Sequence, residues 1–151
     1  MEPRTDHYPS CWGCSIGTGG LEFDWTFAGD RLQATHVVPE HLQGAPGMAH
    51  GGVVAALLDE ACSQVVCPHL SPAVTTRLEV RYLAPVPVEE ALRITAEVTE
   101  ADDRRAVAEA TIQEDAGLLL AHARGELVLV RREHFLQTPR GQARGLDWLL
   151  R

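Results

Sequence analysis

The chain reads as an α+β protein, one long helix laid against an antiparallel sheet of five to six strands. Three observations predict this. A single segment, from about Gly51 to Val66, carries an apolar stripe at helical spacing over several turns. The other ordered-looking segments are of strand length and alternate apolar with polar residues or run apolar. Between them lie glycine, proline and aspartate turn signals, giving the order ββ–α–ββββ.

Residues 1–20 form an N-terminal arm rich in proline, glycine and cysteine. Leu21 to Phe27 alternates with period two, as a half-buried strand does, and Gly29-Asp30 turns the chain into a returning strand from Arg31 to Val38. A loop with Pro39, Pro46 and Gly47 leads to the helix, which Pro68 stops. Val74 to Leu83 is the next strand, ended by Ala84-Pro85-Val86-Pro87. Ala91 to Ala101 and Arg104 to Gln113 pair around Asp102-Asp103, and Gly117 to Val130 follows the Asp115-Ala116-Gly117 turn. The main domain is therefore 21–131. The tail, 132–151, is charged and irregular, with Trp148 to Leu150 expected to dock as a short helix.

At 151 residues the chain can bury a core without metal or disulfides. Its net charge of −8, spread along the sequence, argues against nucleic acid or an anionic membrane surface as partner. All thirteen basic residues are arginine, and neither lysine nor asparagine occurs, which reads as compositional bias. No apolar run approaches the roughly twenty residues that span a bilayer. The opening residues lack a signal-peptide core, so a cytoplasmic location with reduced cysteines is expected. Cys11-Trp12-Gly13-Cys14 would need further ligands to hold zinc. Cys62, Cys67 and His69 are too irregularly spaced, so a locally packed loop is expected, with no metal and no cofactor.

The chemistry points to residues 41–60. Here a Pro46-Gly47 turn runs into His50-Gly51-Gly52, which opens the helix and exposes its unpaired N–H groups. Val54, Leu57, Leu58, Ala61 and Val65 form the stripe that faces the sheet, while Gly52, Ala56, Asp59 and Ser63 line the opposite side. A carboxylate opposite an apolar stripe is ordinarily solvated, yet Gly, Ala and Ser around Asp59 leave room for something to pack closely. Spacing alone leaves both readings open. Glu60 lies about 100° around the helix, toward a partner or solvent. On the following strand, strict alternation places Thr76 with Leu78, Val80 and Tyr82, and Thr75 with Arg77, Glu79 and Arg81. A threonine hydroxyl at the start of that strand could hold a water or a substrate oxygen.

Gly47-x-x-His50-Gly51-Gly52, six residues, Asp59, and then T-x-x-L-x-V-x-Y-L-x-P resembles the PaaI-type acyl-CoA thioesterases of the hotdog fold, over roughly residues 11–130. Cys11-x-x-Cys14 followed by Gly20-Leu21 looks like the branch that includes the thioesterase superfamily member 4 group. The resemblance implies a helix wrapped by an antiparallel sheet, subunits that pair their sheets, and active sites at the dimer interface in a homodimer or homotetramer. Asp59 then matches the catalytic general base or nucleophile, and Gly52 the glycine whose N–H polarises the thioester carbonyl. His50 matches the motif histidine, which shapes the loop, and Thr75 a hydroxyl that positions water. Gly44 stands where many members carry asparagine, with Gln43 beside it.

The activity so implied is hydrolysis of an acyl-CoA substrate, with Gln43, Gly44, Gly47, Gly51 and Thr76 around it. Arg77 and Arg81, together with Arg104, Arg105, Arg131 and Arg132, are the candidates for the CoA phosphates. A non-catalytic acyl-CoA sensor and a hydroxyacyl-CoA dehydratase are the rival readings. Asp59 speaks against the first, and the lack of a second catalytic-looking histidine on the helix against the second.

Overall fold

The computed structural model describes residues 11–17, 19–67, 72–131 and 133. Its elements are β1 (Thr26–Ala28), β2 (Arg31–Val37), a 3-10 turn (Glu40–Leu42), α1 (Gly51–Val66), β3 (Ala73–Tyr82), β4 (Ala91–Ala101), β5 (Arg105–Glu114) and β6 (Leu119–Leu129). The strands form one antiparallel sheet in the order β1-β2-β4-β5-β6-β3, so the strand that follows the helix in sequence lies at an edge. No helix among the described residues is long and apolar enough to cross a membrane. Pro68, His69 and the tail beyond residue 133, including Trp148 to Leu150, lie outside the described residues.

The helix sits where its stripe predicts. Val54, Leu57, Leu58, Ala61 and Val65 are all buried, joined by Val53, Cys62 and Val66. Beneath them the sheet is paved with small side chains: Ala106, Ala108 and Ala110 on β5, and Ala121, Ala123 and Gly125 on β6. This floor lets α1 come close. A Cβ added at Gly125 would stand 3.1 Å from Cβ and 3.3 Å from Sγ of Cys62, tighter than ordinary packing. Larger residues on β2 and β4, including Leu32, Leu92 and Ile94, are fully buried in the same core.

Register shifts in β3, β4 and β5–β6 mark where the sheet bends around the helix. The first strand departs from expectation. Leu21, Phe23 and Trp25 alternate into the core as predicted, but the ladder begins only at Thr26. Glu22 has φ 52°, and the N–H groups of Leu21 and Phe23 donate to Trp12 O and Gly13 O instead of to a strand. Period-two burial was legible there, and the hydrogen-bond partner was not.

Candidate active site

The loop before α1 is closed by its own hydrogen bonds. Met48 N donates to Ala45 O across Pro46-Gly47, and Gly47 takes φ 77° as a type II turn requires. Gly44 N donates to Met48 O, Ala49 N to Val86 O, and His50 N to Leu42 O. Gln43 Oε1 accepts from Gly47 N at 3.0 Å, so this side chain braces the turn. Gly44 packs against His50: a Cβ there would lie 3.2 Å from His50 Cα. A side chain at this position would need His50 to give by a few tenths of an ångström.

His50 is the N-cap of α1. Its Nδ1 accepts from Gly52 N at 3.0 Å, and its carbonyl accepts from Val53 N and Val54 N. The donor assigned by resemblance, the Gly52 N–H, therefore already has an acceptor. The N–H one residue earlier, on Gly51, has none among the described residues. Gly51 also accepts through its carbonyl from the Tyr82 hydroxyl at 2.9 Å. Tyr82, the tyrosine of the T-x-x-L-x-V-x-Y motif, thereby ties the end of β3 to the helix start, a contact that strand alternation does not signal. Next to this contact is a cleft of about 330 Å³ lined by Met48, Ala49, Gly51, Val54 and the segment from Tyr82 to Val86.

Asp59 is half-buried, and Thr75 Oγ1 donates to its Oδ1 at 2.9 Å. Ser63 Oγ, one turn further along α1, stands 3.5 Å from the same hydroxyl. A β-bulge brings these groups together. Thr75 pairs with Leu127 and Arg77 with Glu126, which leaves Thr76 as the extra residue. The bulge reverses the predicted faces. Thr75 shares the helix side with Leu78 and Val80, while Thr76 turns outward and donates to Glu126 O at 3.0 Å. Strict alternation fails here because it cannot count an unpaired residue. Ser63 was visible on the Asp59 face of the helix but was not singled out.

The predicted arginines spread apart. Arg77 and Arg81 lie on the outer face of β3, both beside Glu79, with Arg77 also near Glu126. Arg104 and Arg105 sit at the β4–β5 turn, their N–H groups held by Asp102 Oδ1, at the opposite end of the sheet from Gly51. That bonding holds the Asp102 carboxyl below its ordinary range. Arg131 is exposed, and Arg132 is outside the described residues.

Glu60, which its angle around the helix turned toward a partner or solvent, meets another part of its own chain. It is half-buried against the Cys11–Cys14 loop. Burial, followed by the Glu60 carboxylate, pushes the Cys14 thiol up, the reverse of what a redox cysteine needs. Burial and the Asp59 charge push Cys62 up to about 12, so this thiol is a packing group under α1. Cys62 and Cys67 take no part in a cluster with Cys11 and Cys14.

The Thioesterase superfamily model matches residues 46–121, which hold the end of the loop, the helix and strands β3 to β5. Acyl-coenzyme A thioesterase THEM4 of Mus musculus is 29% identical over 73 residues, 48% of this chain, and the chain spans 31% of that protein's length. The BH2602 protein of Bacillus halodurans, whose crystal structure was determined with CoA, superposes with a TM-score of 0.66. It is 27% identical, with 74% of this chain and 76% of that one covered. The PaaI protein of the E. coli phenylacetic acid degradation operon shares the fold at a TM-score of 0.68 and 21% identity, covering 73% of this chain and 80% of its own.

Proposed function

The chain belongs to the thioesterase superfamily, and from that premise we propose that it hydrolyses an acyl-CoA thioester to the free acid and CoA, with two copies of the chain building each site. The observation that carries this reading is the Thr75 hydroxyl on Asp59 Oδ1, delivered by a bulge whose effect is to aim it at the helix. The names of two similar proteins point the same way: one is called an acyl-coenzyme A thioesterase, and the other was crystallised with CoA.

In the proposed reaction, Asp59 takes a proton from a water held between its free oxygen and Thr75 while that water attacks the thioester carbon. The oxyanion forms against the Gly51 N–H, whose position at the start of α1 adds the field of the helix. Collapse of the intermediate expels the CoA thiolate, and the proton held by Asp59 returns to the leaving sulfur. Water is the nucleophile and no cofactor is required.

One chain cannot assemble these groups alone. Gly51 and Asp59 are eight residues apart on one helix, about 12 Å along its axis, whereas both must approach one carbonyl within about 3.5 Å. β3 has a neighbour on one side only. Val74, Tyr82 and Leu83 at and beside this edge are 41%, 56% and 55% exposed. Pairing two β3 strands would cover them and bring Asp59 of one copy to Gly51 of the other. The cleft beside Gly51 then receives part of the substrate.

The test is thiol release from short, medium, long and aromatic acyl-CoAs, with Asp59→Asn alongside. Turnover on one class that falls at least a hundredfold in Asp59→Asn supports the reading. A folded, dimeric protein that binds acyl-CoA and turns over none of them would overturn it in favour of a sensor.

A further inference from the structure

The loop that precedes the sheet closes on a side chain of α1. The sulfurs of Cys11 and Cys14 lie 3.1 Å apart, and both lie within 4.8 Å of a Glu60 carboxylate oxygen. Gln64 donates to Glu60 Oε1 at 2.8 Å and reaches Cys14 Sγ at 3.9 Å, which holds the carboxylate toward the thiols. Gly13 makes room, since a Cβ there would run into Glu60 Oε2. The loop is anchored by its backbone: Ser15 N donates to Cys11 O, Leu21 N to Trp12 O, and Phe23 N to Gly13 O, while Ser15 Oγ accepts from Cys11 N. Cys14 is buried and Glu60 half-buried. Among the described residues no arginine or histidine pairs with Glu60.

We propose that Cys11, Cys14 and Glu60 bind one Zn²⁺, which staples the N-terminal loop to the helix that carries Asp59. Two sulfurs and one carboxylate oxygen form a ligand set that suits zinc, with a fourth position left for water or another side chain. Zinc–sulfur bonds of about 2.3 Å in a tetrahedron place the two sulfurs about 3.8 Å apart, so the thiols need only spread by a rotamer-scale shift. Binding releases one proton from each thiol, two per metal, and the two thiolates and the carboxylate leave the site with one net negative charge. Gln64 is then the outer hydrogen bond that orients a ligand. Glu60 points about 100° away from Asp59 around α1, so the metal stands apart from the hydrolytic water. A disulfide between the two cysteines would use their proximity but would leave unexplained why Gly13 and Gln64 bring a carboxylate onto them.

The experiment starts from the purified full chain, prepared under reductant and stripped with a chelator, then titrated with Co²⁺ and separately with Zn²⁺. The expected result is one metal per chain, a sulfur-to-cobalt charge-transfer band that zinc displaces, two protons released, and a higher melting temperature with zinc. Glu60→Gln, which keeps both thiols, lowers cobalt affinity at least tenfold, and Cys14→Ser abolishes the charge-transfer band. Should Cys14→Ser not fold, the wild-type titration and Glu60→Gln decide alone. No stoichiometric metal with both thiols free, a native mass two hydrogens lighter from a Cys11–Cys14 disulfide, or unchanged cobalt affinity in Glu60→Gln would each overturn the proposal.

Discussion

Thr75→Val addresses the contact on which the proposed chemistry rests. Valine is β-branched and nearly isosteric with threonine, so it retains the packing of β3 on α1 and the bulge at Thr76. The substitution removes one O–H donated at 2.9 Å to Asp59 Oδ1. Hydrogen bonds to charged groups contribute about 1.5–3 kcal/mol. Ser63 Oγ, 3.5 Å from the Thr75 hydroxyl, can turn toward the vacated carboxylate oxygen and recover part of this, which favours the lower half of the range. At about 1.4 kcal/mol per factor of ten, the expected loss in kcat/KM is about 10–50-fold. It should fall mainly on kcat, because the hydroxyl orients the base and water and does not hold the acyl chain. Stability should change by less than about 1.5 kcal/mol, since Asp59 is only half-buried and water can hydrate the freed oxygen. Continuous thiol release over a range of substrate concentration separates kcat from KM, and Thr75→Ser, which restores the hydroxyl, should recover most of the rate. Turnover in Thr75→Val within twofold of wild type, or a loss confined to KM, would refute the assignment of Thr75 as the residue that positions water for Asp59.

Three further outcomes follow from other parts of the molecule. His36 is 8% exposed, its Nε2 has no partner among the described residues, and burial lowers its pKa from the ordinary value near 6.5. The unfolded chain then binds the proton that the folded chain refuses, so stability should decline as pH falls through 6.5 and level off below the folded value. Urea titrations at pH 7.5 and 5 should show a smaller decline in His36→Gln than in wild type. His50→Ala removes the acceptor for Gly52 N and should lower urea stability by about 1 kcal/mol while sparing more of the turnover than Thr75→Val does. Gly125→Ala forces a methyl against Cys62 under the helix, and a loss of about 1–3 kcal/mol by urea titration is expected, with the helix displaced by a few tenths of an ångström.

The fold was legible because its signals are local and repeated. The stripe through Val54, Leu57, Leu58, Ala61 and Val65 has one placement that buries it, and the helix runs over the expected Gly51–Val66. Strands β2 to β6 agree with their sequence patterns within a residue or two at each end, because alternation and turn residues agree on where they start and stop. Leu21 to Trp25 shows the limit of this logic. Alternation reports which side chains point inward, and Leu21, Phe23 and Trp25 do so. It does not report where the backbone finds its partners, and the N–H groups of Leu21 and Phe23 go to a loop about ten residues earlier in the chain. The alanine floor of β5 and β6 is a related case: each small residue is unremarkable by itself, and its meaning appears only when Cys62 is found lying over Gly125.

At the site, the residue types were legible and their orientations were not. Asp59, His50 and Thr75 were named through the family resemblance, but a side chain's face depends on every residue counted before it, and one bulged residue inverts the relation between the residues on either side of it. Thr76 is that residue, and nothing in Thr75-Thr76-Arg77 distinguishes a bulge from plain strand. The oxyanion donor of the proposed reaction depends on a detail of the same kind. A glycine at a helix start offers an N–H only if the cap leaves it free, and His50 caps Gly52 rather than Gly51. In the proposed reaction the histidine thus leaves the Gly51 amide for the carbonyl, by occupying the neighbouring one. Its exchange for a residue without an acceptor at that position would free a second N–H beside the first, so the loss should fall on the helix start more than on turnover.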